Sequence, residues 1–268
     1  MKKYAFSFLP FLVLIVLLSG CSDYKKILKS TDINMKYDKA VEYYQKQDFF
    51  KAIQLFDELL TYFKGTEKAE EIFYYYAYSH YGKGDYVLAS YYFNNFSTTF
   101  PRSKYTEETT FMSAYCQFLD SPKYSLDQAN TVSAIRGMQT FVNTYPQSKR
   151  VAEANEVIDK LRYKLQEKSF EAAKLYFNIE EYNAAITGFN AHLKDYPDSK
   201  FKEEAYFLIV KSYYIFATKS IDSKKKERFK ATTDSYDTFA ALFPTSNHKK
   251  EAEVYYKNAI KELNKYNN

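Results

Sequence analysis

The stretch YAYSHYGKGDYVLASYYFNNFSTTFP, residues 76–101, contains the spacing from which the fold can be predicted. Within it, Ala77, Ala89 and Pro101 are separated by two intervals of twelve residues. The later stretch AAKLYFNIEEYNAAITGFNAHLKDYP, residues 172–197, has alanine, alanine and proline at the same two intervals. In both stretches an aromatic residue lies three positions before the second alanine, and another lies four positions after it. This spacing predicts a repeated unit of two helices joined by a short turn.

The residue types in this unit have a physical explanation. Two helices approach each other closely only where a small residue occupies the crossing, and aromatic side chains then fill the groove beside it. Proline ends the second helix, because it cannot continue a helix interior. A serine two positions later can accept a hydrogen bond from a free backbone N–H and cap the next helix. The sequence aromatic, proline, any residue, serine recurs at residues 100–103, 145–148, 196–199 and 243–246.

Five such repeats can be followed along the chain, although two of them are irregular. Ala40 and Ala52 mark the first repeat, and in the third repeat Ala114 and Ala134 lie twenty residues apart because of an insertion around SPKYSLDQANT. A long extra stretch precedes the fourth repeat, and the fifth keeps alanine at neither expected position. The final amphipathic stretch KKEAEVYYKNAIKEL would cap the array. We therefore predict an all-α, tetratricopeptide-like α-solenoid of about five helix-turn-helix repeats plus a C-terminal capping helix.

The N-terminus has the features of a targeting segment. Two lysines precede an apolar run at residues 6–18, which is shorter than the ~20 residues of a membrane-spanning helix. The following Leu-Ser-Gly-Cys, residues 18–21, resembles the lipobox of bacterial lipoproteins. We therefore expect residues 1–20 to be a cleaved lipoprotein signal peptide, Cys21 to be the lipid attachment site and residues 21–32 to form a lipidated tether. The alternative is an ordinary secreted protein with a chance cysteine, and Ser22 in place of aspartate favours the outer membrane.

Composition excludes several classes of function. Without the signal peptide the chain has 36 basic and 33 acidic side chains, and this near balance gives no argument for a nucleic-acid partner. Cys116 is the only cysteine besides Cys21, so an internal disulfide is not expected in the lipidated protein. The 29 tyrosines and 23 phenylalanines instead supply large apolar areas for packing.

From residue 32 to residue 265 the chain resembles the family of outer-membrane lipoproteins known as BamD, ComL or YfiO. The resemblance is carried by the lipobox, the first repeat YDKAVEYYQKQDFFKAIQLFDELLTYF, the helix TFMSAYCQFLD before an inserted loop, and residues 143–205. It implies a periplasm-facing subunit of the outer-membrane β-barrel assembly machine. Such a subunit docks to the POTRA domains of the central barrel protein and helps to recognise unfolded barrel precursors. Lys64, where many such repeats have proline, and the fifth repeat depart from the pattern.

The resemblance also suggests that the two halves of the chain have different binding roles. Residues 33–147, repeats one to three, would form a substrate groove, and residues 148–268, repeats four and five with the capping helix, would dock partners. In tetratricopeptide superhelices the face beside the packing alanine of each first helix lines the concave surface, and here that face is aromatic. An alternative is that the neighbouring repeat buries part of this face. The candidate groove residues are Tyr37, Tyr44, Tyr74, Tyr78, Tyr81, Phe111, Tyr115 and Phe118, with Val41 between the first two.

Catalytic and metal sites are not expected. His80, His192 and His248 are scattered singly, and the Glu-Glu pairs near helix starts suit the helix dipole and solvation. No phosphate-binding loop or Ser-His-Asp order is recognisable, so we predict neither an enzyme nor a cofactor.

One alternative function is that of another tetratricopeptide-repeat envelope lipoprotein, such as a pilus pilotin or a division-machinery adaptor. Another is ligand capture as in the SusD group, whose members are typically about twice this length.

Overall fold

The computed structural model describes residues 23–266, and the predicted signal peptide and Cys21 lie outside them. Residues 23–29 are helical, and no β-strand occurs in the described part of the chain. The all-α, tetratricopeptide-like fold predicted from the repeats is therefore confirmed. The further helices are α1 (Ile33–Gln45), α2 (Phe49–Tyr62), α3 (Glu67–Lys83), α4 (Tyr86–Thr99), α5 (Thr106–Leu119), α6 (Ala129–Thr144), α7 (Val151–Asn178), α8 (Tyr182–Asp195), α9 (Lys202–Thr218), α10 (Asp222–Leu242) and α11 (Lys249–Asn264).

The described residues form two compact units. The first contains residues 23–122 and 129–158, and the second contains residues 123–128 and 159–266. The division falls within α7 rather than at the predicted boundary between residues 147 and 148. The physical reason is that α7 is one continuous helix of 28 residues, without proline or glycine to interrupt it.

In the first unit the helices α1 to α5 each pack against the next helix in the chain, so that α1 to α6 form a consecutive series. Ala40, Ala52, Ala77 and Ala89 have no exposed surface, as expected for small residues at helix crossings. The contact between α5 and α6 is closer still, because a Cβ atom added to Gly137 would lie 2.7 Å from the Cβ of Ala114. The predicted role of small residues at these crossings is therefore confirmed.

The four predicted hinges share one hydrogen-bonding pattern. At the first, the Ser103 N–H donates to the carbonyl of Phe100 at 3.0 Å, and the Ser103 Oγ accepts from the Tyr105 N–H at 3.0 Å. Ser148, Ser199 and Ser246 repeat both bonds. The predicted hydrogen bond from a backbone N–H to each serine is therefore confirmed, but the serines are not the N-caps: Tyr105, Phe201 and His248 hold that position before α5, α9 and α11.

The turns inside repeats one, two and four share a left-handed residue. Gly84 has φ of 85°, and Gln47 and Glu180 adopt φ of 59° and 67° at the matching positions. Only glycine takes this conformation without steric cost, so the turn geometry holds two non-glycine residues in a strained conformation. In all three turns the left-handed residue is followed by an acidic residue and then by the first residue of the next helix, which is α2, α4 or α8.

The second unit uses a different small residue in its last repeat. Helices α8 to α11 pack consecutively around a core that includes Phe189 and Phe239. Thr232 is fully buried and lies three residues after Phe229 and four before Tyr236, which is the spacing of the second alanine in other repeats. Its hydroxyl donates to the Arg228 carbonyl at 3.0 Å, so burial leaves no unpaired donor. The fifth repeat therefore keeps the helix crossing although it lacks the alanine.

Residues 23–29, which belong to the segment predicted as a tether, are helical and pack against the first repeat. Tyr24 is only 9% exposed and its hydroxyl donates to Gln54 Oε1 at 2.6 Å. Ile27 and Leu28 also pack against the core of the first repeat. The reason is that residues 23–29 are amphipathic, and their apolar side packs against the core formed by α1 and α2. Residues 23–29, expected to be part of a flexible tether, are thus part of the folded first unit.

Enlarging a crossing residue tests this packing. Ala77→Leu adds three carbon atoms where α3 meets its neighbours without free space, and we expect the free energy of unfolding to fall by about 1–3 kcal/mol. Ala191→Leu makes the same change at an exposed position of α8 and should alter stability by less than about 0.5 kcal/mol. Urea unfolding followed by circular dichroism measures both. Equal effects of the two substitutions would show that the crossing is not closely packed.

Candidate peptide-binding site

The structure places the predicted groove residues on α1, α3 and α5 of the first unit. Seven of the eight are half-buried, and Phe111 has no exposed surface. We call the half-buried side chains the aromatic strip; they are Tyr37, Tyr44, Tyr74, Tyr78, Tyr81, Tyr115 and Phe118.

Phe111 does not belong to the groove, which corrects the prediction. Its ring lies beneath the guanidinium of Arg150, whose carbon is 3.6 Å from the ring centroid. The ring also packs edge-on against Phe141 of α6, at 5.2 Å between centroids, and stacks on Tyr115 at 5.5 Å. Sequence spacing identifies all residues on one face of a helix. Only some of them are exposed, because neighbouring elements cover the rest of the face.

Neighbouring rings hold the aromatic strip in place. Tyr74 stacks on Tyr105, with 4.3 Å between centroids, and Tyr78 meets Phe93 of α4 edge-on at 4.9 Å. Tyr44 contacts Tyr75 of the next repeat at 4.9 Å. Tyr75 and Tyr105 were not among the predicted groove residues. The sequence did contain a signal for Tyr105, because this residue follows a hinge serine by two positions and so lies directly before the next helix.

Three tyrosine hydroxyls of the aromatic strip donate to glutamates of the following repeat. Tyr37 donates to Glu71 at 2.8 Å, and the two residues are 34 positions apart. Tyr74 and Tyr78 both donate to Glu108, at 3.1 and 2.5 Å, and Tyr74 is again 34 positions before its partner. These glutamates were expected to serve the helix dipole and solvation. They also fix each first helix against the next one.

The same carboxylate position accepts a hydrogen bond in later repeats, but from a cation. Glu108, Glu153, Glu204 and Glu251 each lie five residues after a hinge serine. Lys174 donates to Glu204 at 2.9 Å and Lys211 donates to Glu251 at 2.8 Å, whereas Glu153 accepts from Arg150 at 3.1 Å. Glu251 also accepts from Tyr255 of its own helix at 2.7 Å. A tyrosine donor from the preceding first helix is therefore a feature of the first two repeats, whereas the second unit joins its repeats at this position by ion pairs.

Five tyrosine hydroxyls of the aromatic strip have a raised pKa and stay protonated under physiological conditions. Burial, together with Glu71 or Glu108, raises the pKa of Tyr37, Tyr74 and Tyr78 well above the usual value for tyrosine. Burial also raises the pKa of Tyr44 and Tyr81. Because each hydroxyl oxygen keeps a lone pair while its proton is donated, the strip can still accept hydrogen bonds from peptide N–H groups.

Three tyrosines of the aromatic strip differ from the others. Among residues 23–266 no hydrogen-bond partner is found for the hydroxyls of Tyr44, Tyr81 and Tyr115. Their half-buried rings therefore combine an apolar face with a hydroxyl that can both donate and accept. An extended peptide with apolar or aromatic side chains could bury its side chains against such a surface and pair its backbone with the hydroxyls.

The remaining reactive side chains are occupied by packing. His80 stacks on Tyr92 and meets Tyr76 edge-on, and burial lowers its pKa, so the ring is neutral. Burial raises the pKa of Cys116 to about 12, which keeps its thiol protonated. Residues 23–266 contain no group of three or more His, Cys, Asp or Glu side chains arranged to hold a metal ion. In the same part of the chain, no helix has the length and apolar character needed to cross a membrane.

Removing a single hydroxyl tests the bond between repeats. Tyr78→Phe leaves the ring contact with Phe93 but removes a donor to Glu108, and we expect the free energy of unfolding to fall by about 1–2 kcal/mol. Tyr81→Phe removes a hydroxyl that does not join two repeats, so its effect should stay below about 0.5 kcal/mol. Denaturant unfolding of both variants measures the difference. An equal loss in both would contradict the role assigned to Glu108.

Comparison with known proteins identifies a matching family and similar solved structures. A family model described as "YfiO: Outer membrane lipoprotein" matches residues 30–229. A search of the curated proteins finds no match. Among solved structures, the chain is similar to one titled "TPR2AB-domain:pHSP90-complex of yeast Sti1", with 15% sequence identity, a TM-score of 0.41 and coverage of 85% of this chain and 98% of that one. Because the family model spans 200 of the 268 residues, from α1 and the residues before it to the first turns of α10, the chain belongs to the YfiO family of outer membrane lipoproteins.

Proposed function

We propose that this protein is a subunit of the outer-membrane β-barrel assembly machine. It is anchored by acyl chains on Cys21, faces the periplasm, docks to the POTRA domains of the central barrel protein and binds unfolded barrel precursors through the aromatic strip. Membership of the YfiO family supports the anchor and the compartment. The uncharged, aromatic character of the strip is the observation that carries the precursor-binding role.

The aromatic strip suits the chemistry of an unfolded β-strand. Barrel strands alternate apolar and polar residues, so an extended segment presents apolar side chains on one side every second residue. Tyr81, Tyr115 and Phe118 offer ring faces to such side chains, and the two hydroxyls can pair with the peptide backbone. Because Tyr37, Tyr74 and Tyr78 are already fixed by glutamates, little side-chain entropy would be lost on binding there.

We assign docking of the partner protein to the second unit, which has an apolar surface of its own. Leu175 and Ile179, near the end of α7, are 58% and 56% exposed. Beside them, a cavity of about 380 Å³ lies between α7 and residues 124–125. Lys168 holds this loop by donating to the carbonyls of Tyr124 and Leu126 at 3.2 and 2.8 Å. Exposed apolar side chains around a cavity are typical of a protein–protein interface.

The proposal needs no catalytic step and no cofactor. Binding an unfolded precursor and docking to a barrel protein are both recognition events, so packing and hydrogen bonds suffice. The pilus and division adaptors remain the competing class, because they share the repeat architecture and differ in the partner they bind. The identity of the bound partner therefore decides between the two.

Affinity purification of the tagged protein from solubilised outer membranes tests this proposal. We expect a barrel protein with POTRA domains to be recovered. Leu175→Glu combined with Ile179→Glu should reduce that recovery at least tenfold, because it places two charges in the proposed interface. Val87→Glu combined with Leu88→Glu changes two exposed apolar residues of the first unit and should leave recovery unchanged. Recovery of a pilus or division protein without the barrel protein would overturn the proposal.

A further inference from the structure

The helical residues 23–29, which we call the N-terminal collar, are fixed to the first repeat. The Tyr24 hydroxyl donates to Gln54 Oε1, and Lys51 Nζ lies 5.7 Å from the centre of the Tyr24 ring. At the other end, the Lys36 ammonium donates to the Leu28 carbonyl at 2.9 Å. Lys36 is only 2% exposed and its charge is balanced by Glu58 at 2.6 Å. The collar is thus held at both ends by buried contacts.

The collar lies very close to the predicted lipid attachment site. Only two residues separate Cys21 from Tyr24 in the sequence. Three residue steps span at most about 11 Å even when fully extended. If Cys21 is acylated, as the proposed function requires, the core of the first repeat lies within that distance of the bilayer surface. The inference below rests on this part of the proposed function.

The outward side of the collar is basic. Tyr24, Ile27 and Leu28 face the protein, whereas Lys25, Lys26 and Lys29 are exposed. The single acidic residue is Asp23, which pairs with Lys26 at 3.1 Å. Both partners are about three-quarters exposed, so the pair is weak, and three lysines against one aspartate leave the collar a net charge of +2. Three lysines therefore project from a rigid helix beside the anchor.

An exposed aromatic residue lies at the same end of the first repeat. Phe50 is 60% exposed at the start of α2. It is adjacent in sequence to Lys51, whose ammonium lies over the rings of Tyr24 and Tyr43. Apolar rings beside lysines are typical of surfaces that contact lipid headgroups, where the ring enters the acyl boundary and the ammonium stays among the phosphates.

We propose that the outward side of the N-terminal collar binds the anionic headgroups of phospholipids, so that the first repeat rests against the membrane. Charge complementarity and the short connection to Cys21 identify the occupant as a lipid surface, because the acyl chains bring the lysines within about one Debye length, ~8 Å, of the headgroups. The acyl chains supply the attachment and the lysines set the orientation. The aromatic strip, which begins in the same repeat, is thereby held at a defined distance from the bilayer.

Fluorescence quenching in proteoliposomes tests this orientation. The acylated mature protein carries a fluorophore at Gln45→Cys, an exposed position at the end of α1 in the first repeat. Cys116 is fully buried and burial raises its pKa to about 12, so labelling is confined to the new cysteine. The vesicles contain either phosphatidylcholine alone or a mixture with about one third phosphatidylglycerol, a headgroup density at which each lysine contributes measurably. A headgroup-attached nitroxide quenches fluorophores that lie near the surface.

We expect stronger quenching in the anionic vesicles and loss of the difference at high salt. The triple variant Lys25→Glu, Lys26→Glu, Lys29→Glu should shift the ratio of surface-bound to detached orientations by on the order of a hundredfold. The matched control Lys64→Glu, Lys104→Glu, Lys149→Glu changes three exposed lysines of the same unit and should behave as the wild type. Circular dichroism verifies that each variant is folded.

Two kinds of failure are distinguishable. Intact mass measurement first shows whether Cys21 carries acyl chains, and their absence would overturn the anchored function together with this inference. If the chains are present, quenching that is equal in neutral and anionic vesicles would overturn the inference alone. Equal losses in the two triple variants would do the same, as would loss of a co-purified acidic protein from the collar variant without a change in quenching.

Discussion

Close approach of consecutive helices is the constraint on which the rest of this structure depends. It is possible only where a small residue lies at the crossing, as Ala77 and Ala89 do in the second repeat and Thr232 does in the fifth. Because the helices are close, a tyrosine of one first helix comes within hydrogen-bonding distance of a glutamate near the start of the next first helix. The bonds from Tyr37 to Glu71 and from Tyr74 to Glu108 follow from that spacing.

These bonds link the packing of the repeats to the proposed binding surface. A tyrosine that donates to a glutamate of the next repeat is held in one rotamer, so its ring presents a fixed face. Tyr81 and Tyr115, which make no such bond within residues 23–266, are the side chains best able to adjust to a peptide. The aromatic strip thus combines a rigid part with an adaptable part. The second unit forms ion pairs from Lys174 and Lys211 at the same positions, which gives it a different surface chemistry.

Much of the fold could be predicted from the sequence because its signals are local. The alanine spacing and the serine hinges each depend on residues within one repeat, and the structure confirms both. Burial of Phe111 could not be predicted, because helical spacing defines a face but does not show which part Arg150 and α6 cover. The attachment of Tyr24 to Gln54 was missed for a similar reason, since it joins residues 30 positions apart through side chains alone. The role of Glu108 was partly visible, because a glutamate recurs five residues after each hinge serine.

Binding of a barrel-derived peptide to the mature protein tests the central claim most directly. The peptide corresponds to the C-terminal strand of an outer-membrane β-barrel, and fluorescence anisotropy measures its affinity. We predict that Tyr81→Ala and Tyr115→Ala each weaken binding by about tenfold, as expected when an aromatic contact is lost from an interface. Tyr62→Ala and Tyr91→Ala, at positions that are 64% and 58% exposed on the second helices, should leave the affinity unchanged. Unchanged affinity in the folded Tyr81 and Tyr115 variants, or an equal loss in all four, would contradict the account.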